Sequence, residues 1–224
     1  SRQLAASHDE TQHAMAALEE ARDTLEVRVT ARTARLAVVN ERVVAEIQER
    51  KLAEQALERA ATTDYLTGLL NRRAMLAVID QEAERSRRSA KPYSLLMADV
   101  DRFKKINDGH GHRTGDEVLL LVCRLLRETL RAQDAISRWG GDEILIVLPE
   151  TDLAGAVAVA EKTREALAAR EWTLQARSLR LTLSIGVASS SPGATPEDVI
   201  SRADLALYRA KTAGRNRTVA DGPE

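Results

Sequence analysis

No glycine occurs before Gly68 and no proline before Pro92. An opening of 67 residues without either, rich in Ala, Glu, Arg, Leu and Val, predicts one long helix, because nothing in it breaks the backbone ladder. If residues 4 to 60 are continuous, that helix extends about 85 Å at 1.5 Å per residue. A compact domain has no use for such a rod. Its apolar pattern says what covers it. One heptad track runs Met15, Arg22, Val29, Leu36, Val43, Arg50, Leu57, and the other runs Leu18, Leu25, Arg32, Val39, Glu46, Ala53, Ala60. Leu18, Leu25, Val29, Leu36, Val39 and Val43 therefore form one seam with alternating three- and four-residue steps, the pattern of a coiled coil. Arg22, Arg32, Glu46 and Arg50 interrupt it, and Ile47 follows Val43 by four where three was due, which resembles a stutter. A helix packed on its own globular domain is the competing reading. The strict seam favours a parallel dimeric coiled coil over residues 1–60 that loosens toward its C-terminal end.

Residues 61–224 alternate strand and helix patterns and read as α/β. Asn71 to Arg88 is an amphipathic helix, and Pro92 introduces a strand from Tyr93 to Val100. Thr114 with Glu117 forms a capping box that starts a helix continuing through Leu119 to Leu130. Ala135 to Trp139 and Ile144 to Leu148 form a hairpin, ended by Pro149. Asp152 to Ala169 is an Ala-rich helix, and Leu179 to Ala188 an alternating strand. Thr195-Pro196-Glu197-Asp198 launches a last helix that ends near Gly214. The fold class expected is a mixed central sheet covered by helices, preceded by the coiled-coil helix.

The hairpin turn is Gly140-Gly141-Asp142-Glu143, and Asp99 and Asp101 close the apolar strand roughly forty residues upstream. Glycines there let a polyphosphate approach the backbone where a Cβ would obstruct it. Carboxylates from two strand ends can converge on Mg²⁺, a hard cation that takes oxygen ligands and shares them with substrate phosphates. Gly-Gly-Asp is also an ordinary hairpin turn, and Asp99 could instead cap the following turn. The matched acids favour the metal.

The wider set of motifs comprises Asp64-Tyr65-Leu66-Thr67-Gly68, Asp99 through Asp108, Gly111-His112, Gly115-Asp116, and Ala203-Asp204 through Lys211 to Gly214-Arg215-Asn216. In this order and spacing the chain resembles the GGDEF domain family, the diguanylate cyclases that make cyclic di-GMP from two GTP, over about residues 60 to 220. One departure is Ile144, where the family has Phe; it reads as a packing residue. The resemblance implies a palm-like fold of the nucleotidyl cyclases. It implies metal ligation by Asp99, the Val100 carbonyl, Asp142 and Glu143, with Mg²⁺ as cofactor and Mn²⁺ as an alternative. Asp142, Glu143 and Lys211 would be the catalytic groups. Glu143 would help either with the metal or with activating the 3′-hydroxyl, and Asp101 would only orient its neighbours.

By the same resemblance, Asn107 and Asp116 read guanine. The chemistry suits them, since guanine presents N1–H and N2–H₂ side by side to one carboxylate and adenine does not. As plain sequence, Asn107-Asp108-Gly109 is turn chemistry and Asp116 suits a helix start. Phe103, Gly140 and Gly141 join the substrate site. Lys104, Lys211 and Arg215 are candidates for the phosphates, the last two four apart on one helical face where a solvated surface is the rival reading. Arg131 and Asp134 match the family's inhibitory product site, with Lys162 where a second arginine is usual. Lysine lacks the planar fork, so product inhibition should be weaker. His112 reads as a structural histidine.

Net charge of −1 gives no electrostatic case for nucleic acid. The one cysteine, Cys123, falls in an apolar helical stretch and reads as a buried, inert thiol. No apolar run approaches a membrane span, so a cytoplasmic chain is expected. It starts at Ser1, which reads as a fragment of a longer protein whose sensor or membrane anchor lies upstream. The expected partners are GTP, cyclic di-GMP as product and inhibitor, and a second copy joined through the coiled coil. The competing functions are a catalytically silent receptor for GTP or cyclic di-GMP, and a dimerising scaffold.

Overall fold

A computed structural model describes residues 2–174 and 177–222. Helix α1 (Arg2–Thr62) is unbroken, as the absence of Gly and Pro requires. Contacts divide the chain after Leu57. Every large apolar side chain of the seam is exposed in the single chain, from Leu18 at 71% to Val43 at 45%. No helix among the described residues is long and apolar enough to cross a membrane.

The second unit is a mixed sheet with helices on both faces. Its elements are β1 (Leu70–Asn71), α2 (Arg72–Ser89), β2 (Ser94–Val100), α3 (Phe103–His110), α4 (His112–Thr129), β3 (Ala135–Gly140) and β4 (Glu143–Leu148). They continue with α5 (Leu153–Ala168), β5 (Glu171–Leu174), β6 (Arg177–Arg180), β7 (Leu183–Ser189), α6 (Pro196–Thr212) and β8 (Thr218–Ala220). Strand order is β1-β3-β4-β2-β7-β8; β2 runs antiparallel to β4 and β7, while the edge pairs β1–β3 and β7–β8 are parallel.

All of β2 is buried, which is why it reads as a continuous apolar run. Leu96, Ala98 and Val100 face a core built on Val118, Val122 and Leu126 of α4 and Ala156 and Ala160 of α5. Leu95 and Met97 face the other core, with Met75 and Ile79 of α2 and Val199, Ala203 and Leu207 of α6. Ile144 is 1% exposed in the first of these cores. Gly186 of β7 lets α6 lie close to the sheet. A Cβ there would come within 2.1 Å of the Ala203 carbonyl and 2.2 Å of the Leu207 nitrogen.

The helix starts at Asn71, Asp152 and Thr195 are capped by those side chains, and Thr195 with Asp198 makes a reciprocal capping box. Three local expectations are corrected. Thr114 is no cap: α4 begins at His112 after Gly111 (φ 84°), and the Thr114 hydroxyl donates back to the His110 carbonyl at 2.9 Å. The segment read as turn chemistry at Asn107-Asp108-Gly109 belongs to helix α3, which abuts α4 across that single glycine. The strand expected over 179–188 is divided, because β6 folds back on β5 as a separate two-stranded ribbon and β7 starts at Leu183. His112 is the exposed first residue of α4. Cys123 is buried, and burial pushes its thiol up to about 11.

Candidate active site

The site gathers at the end of β2, where the pairing register decides which acids meet. Asp99 lies directly opposite Glu143 on β4, and opposite Ser184 on β7. Its carboxylate accepts a hydrogen bond from Lys211 Nζ of α6 at 2.7 Å. Burial pushes the Asp99 carboxyl up to about 6; the Lys211 hydrogen bond works against this, and the charges of Asp142 and Glu143 add to it. Three carboxylates thus crowd one strand end with one ammonium among them, and Val100 completes the buried strand.

Among the described residues, no three His, Cys, Asp or Glu side chains close into a ready metal-binding group. The donor chemistry nevertheless fits a hard divalent cation. The acids are oxygen donors, burial and then their mutual repulsion raise Asp99, and Lys211 supplies at Asp99 the positive charge that a metal would bring. Asp99, Asp142, Glu143 and the Val100 carbonyl are the groups that would hold Mg²⁺.

Gly140 pairs with Glu143 across the hairpin, yet neither Gly140 nor Gly141 has a positive φ. Backbone conformation therefore does not demand them. A Cβ at Gly141 would point into open space, and one at Gly140 would come 3.3 Å from Glu143 Oε2. Room beside the acids is the remaining requirement.

Two residues that the sequence reading left without a role hold this turn. Arg138 donates from Nε to the Gly141 carbonyl at 2.9 Å and from its terminal nitrogen to Asp64 at 3.2 and 3.3 Å. Asp64 also accepts from the Thr67 amide and hydroxyl at 2.8 and 2.7 Å. Burial alone would raise the Asp64 carboxyl, but the Thr67 hydrogen bonds and Arg138 hold it below its ordinary value. Arg127 donates to the Gly68 carbonyl at 3.0 Å, securing the same loop. The available signal was an acid in the Asp64-x-x-Thr67-Gly68 turn and an arginine two residues before Gly140.

Asn107 lies on α3 against the first turn of α4. Its Oδ1 is buried with no hydrogen-bond partner, and a Cβ on Gly115 would come within 1.9 Å of that oxygen. Asp116 follows Gly115, exposed. The unpartnered Asn107 oxygen can accept from a donor group of a ligand. Phe103 packs on the core beneath, and Lys104 is exposed on the same helix.

Asp101 is 7% exposed and structural. It accepts from the Ser184 and Thr182 hydroxyls, both at 2.6 Å, and from the Asn216 amide at 2.9 Å. It thereby fastens the loop that carries Arg215. Arg215 is not on the helical face expected for it: α6 ends at Thr212, and Gly214, Arg215 and Asn216 all have positive φ. Arg131 and Asp134 close a local turn, with the Arg131 amide donating to Asp134 at 2.8 Å. Burial raises the Asp134 carboxyl despite that bond. No hydrogen bond or ion pair joins exposed Lys162 on α5 to either of them among the described residues.

The fold and this strand-end cluster define a mixed α/β domain with an acidic centre. The model of the diguanylate cyclase GGDEF domain matches residues 61–217, and the chain belongs to that family. It is 42% identical over 179 residues to the diguanylate cyclase DgcM of Escherichia coli K12, covering 80% of this chain and 43% of DgcM. The chain thus spans under half the length of that relative. The coiled coil and GGDEF domain of Caulobacter crescentus DgcB, solved with c-di-GMP, superposes with a TM-score of 0.76 at 30% identity, covering 84% of this chain and 97% of that one. Pseudomonas aeruginosa SiaD, a diguanylate cyclase solved with its activator SiaC, gives 0.69 at 36% identity, covering 96% and 82%.

Proposed function

We propose that this chain condenses two GTP into cyclic di-GMP, releasing two pyrophosphates, as a Mg²⁺-dependent homodimer. The observation that carries the reading is Asp99 set opposite Glu143, with Asp142 adjoining and Lys211 bonded to Asp99. In each half-reaction the 3′-oxygen of one GTP bonds to the α-phosphorus of the other, and the bond to the β-phosphate bridge breaks. Mg²⁺, when bound, supplies charge stabilisation to the phosphoryl oxygens and leaving group. Lys211 and Arg215 compensate the triphosphate, Lys104 adds charge nearby, and Glu143 either shares the metal or takes the 3′-proton. Asn107 and Asp116 orient guanine, which brings two adjacent donors to an unpartnered oxygen and a carboxylate. Catalysis here is positioning and electrostatics rather than covalent chemistry.

One protomer carries one GTP, so two sites must face each other. The exposed seam of α1 supplies the means in a parallel coiled coil. Cyclic di-GMP held at Arg131 and Asp134, with Lys162 assisting, would inhibit. The test is incubation with GTP and Mg²⁺ and product identification by mass. Asp142→Asn should lower turnover at least 100-fold with an unchanged circular dichroism spectrum. Turnover within tenfold of wild type would remove Asp142 from the chemistry, and no cyclic di-GMP from wild type would leave a silent receptor.

A further inference from the structure

A second cationic feature lies beside this centre. The turn after β2, the first turns of α3, the start of the 180–182 segment and the loop after α6 enclose a cleft of about 430 Å³. Arg102, Lys105, Arg180 and Arg215 line it, and Asp101 is the acid in its wall. Asp101 is already committed to three hydrogen bonds. No carboxylate of the described residues pairs with Arg102, Lys105 or Arg215. Arg180 has only Glu171, at 3.2 Å and with both side chains largely exposed, a pair worth little in water. In a chain of net charge −1, four cations round one cleft are a local excess.

The backbone is bent to build it. Five non-glycine residues have positive φ among those described, and three of them, Arg102, Arg215 and Asn216, line this cleft. Such conformations cost free energy and persist where surrounding bonds impose them. Asp101 holds the loop after α6, accepting from the Asn216 amide at 2.9 Å. The Asn216 N–H is thus taken, and the Arg215 N–H donates to the Ala210 carbonyl. In that loop the side chains, rather than these two amides, are left to meet a ligand. Arginine forks and a lysine ammonium suit phosphate oxygens.

Resting on the cyclase reading, we infer that this cleft is an anion subsite for a phosphate or diphosphate group, joined to the substrate's phosphate end through Arg215. Two sources share that chemistry, the released pyrophosphate and the terminal phosphates of GTP. Pyrophosphate is the occupant, because Lys211 and the acids Asp99, Asp142 and Glu143, which serve the triphosphate on that reading, do not line this cleft. Lys105 and Arg180 are then specificity residues for the departing anion.

The test titrates the whole chain with inorganic pyrophosphate in EDTA, where no metal can bridge it to the acids, by calorimetry. Wild type should bind, and Lys105→Ala with Arg180→Ala should weaken binding at least fivefold at unchanged circular dichroism. Arg87→Ala with Arg88→Ala removes the same charge near the other end of β2 and should leave binding within twofold. Equal loss in both pairs, or no loss in the first, overturns the inference. Cyclase kinetics separate the sources. A raised inhibition constant for pyrophosphate with unchanged KM for GTP marks a product subsite, and a parallel rise in KM assigns the cleft to the substrate's phosphates. Absence of GTP turnover in wild type would sink the cyclase reading alone, since the titration still reports on the cleft.

Discussion

At the scale of single residues, two glycines make the same steric demand for different reasons. A methyl at Gly115 would overlap Asn107 Oδ1, the end of a side chain that can swing away. A methyl at Gly186 would overlap backbone atoms of α6, which cannot move alone. Gly115→Ala should therefore cost about 1 kcal/mol, at the low end of overpacking, yet raise KM for GTP severalfold by displacing the proposed guanine acceptor. Gly186→Ala should cost about 3 kcal/mol or more. Urea unfolding and steady-state kinetics on both variants check this; equal stability losses would mean that the Asn107 side chain is as fixed as the backbone. A related prediction concerns base choice. Asp116→Ser should erode the preference for GTP over ATP, measured as the ratio of kcat/KM values, and an unchanged ratio would place guanine reading elsewhere.

Among elements, the contact to watch joins the loop after α1 to the glycine turn. Asp64 links Thr67 to Arg138, and Arg138 reaches the Gly141 carbonyl. The Asp64 carboxyl is held below its ordinary value in the folded chain. Folding therefore favours the ionised form. The stabilisation is present above the unfolded value of 3.8 and disappears as pH falls through the lower folded value. Asp64→Asn should remove that part of the acid-side loss, so urea midpoints of wild type and variant should stay a constant distance apart above pH 3.8 and converge as pH falls below it. Parallel curves across that range would mean that Asp64 is not linked to folding.

For the molecule as a whole, the open question is whether α1 sets geometry or only proximity. On the proposed dimeric cyclase reading, two sites facing across a rotation axis would inherit their orientation from the coil. Seven residues inserted near Val39 keep the seam phase with about 20° of drift. Four inserted residues rotate the downstream part of the helix by about 40° at 3.6 residues per turn and force a stutter. Four-residue insertions should change the basal rate severalfold in either direction, and seven-residue insertions should change it little. Equal rates in both series, in proteins shown to be dimeric, would reduce the coil to a tether.

Local chemistry was legible in the amino-acid sequence alone. The rod follows from 67 residues without Gly or Pro. The buried central strand follows from its apolar run, and the α6 start from Thr195 and Asp198. The acids at 99, 142 and 143 stood out because two motifs of matching chemistry lay at strand ends. Tertiary structure alone decided what depends on which distant groups meet. The register set Asp99 against Glu143, the end of α6 delivered Lys211 to Asp99, and Arg138 found Asp64 across 74 positions. The same limit explains the corrections. Thr114 and Glu117 satisfy the pattern of a capping box, but α4 already starts at His112, directly after α3 and Gly111, so Thr114 falls inside the helix. Arg215 fits a helical spacing from Lys211, but Asp101, far away in sequence, holds the Asn216 amide and bends that loop out of the helix. Propensity and periodicity act over a few residues, whereas these contacts gain their energy only once the sheet has brought remote segments together.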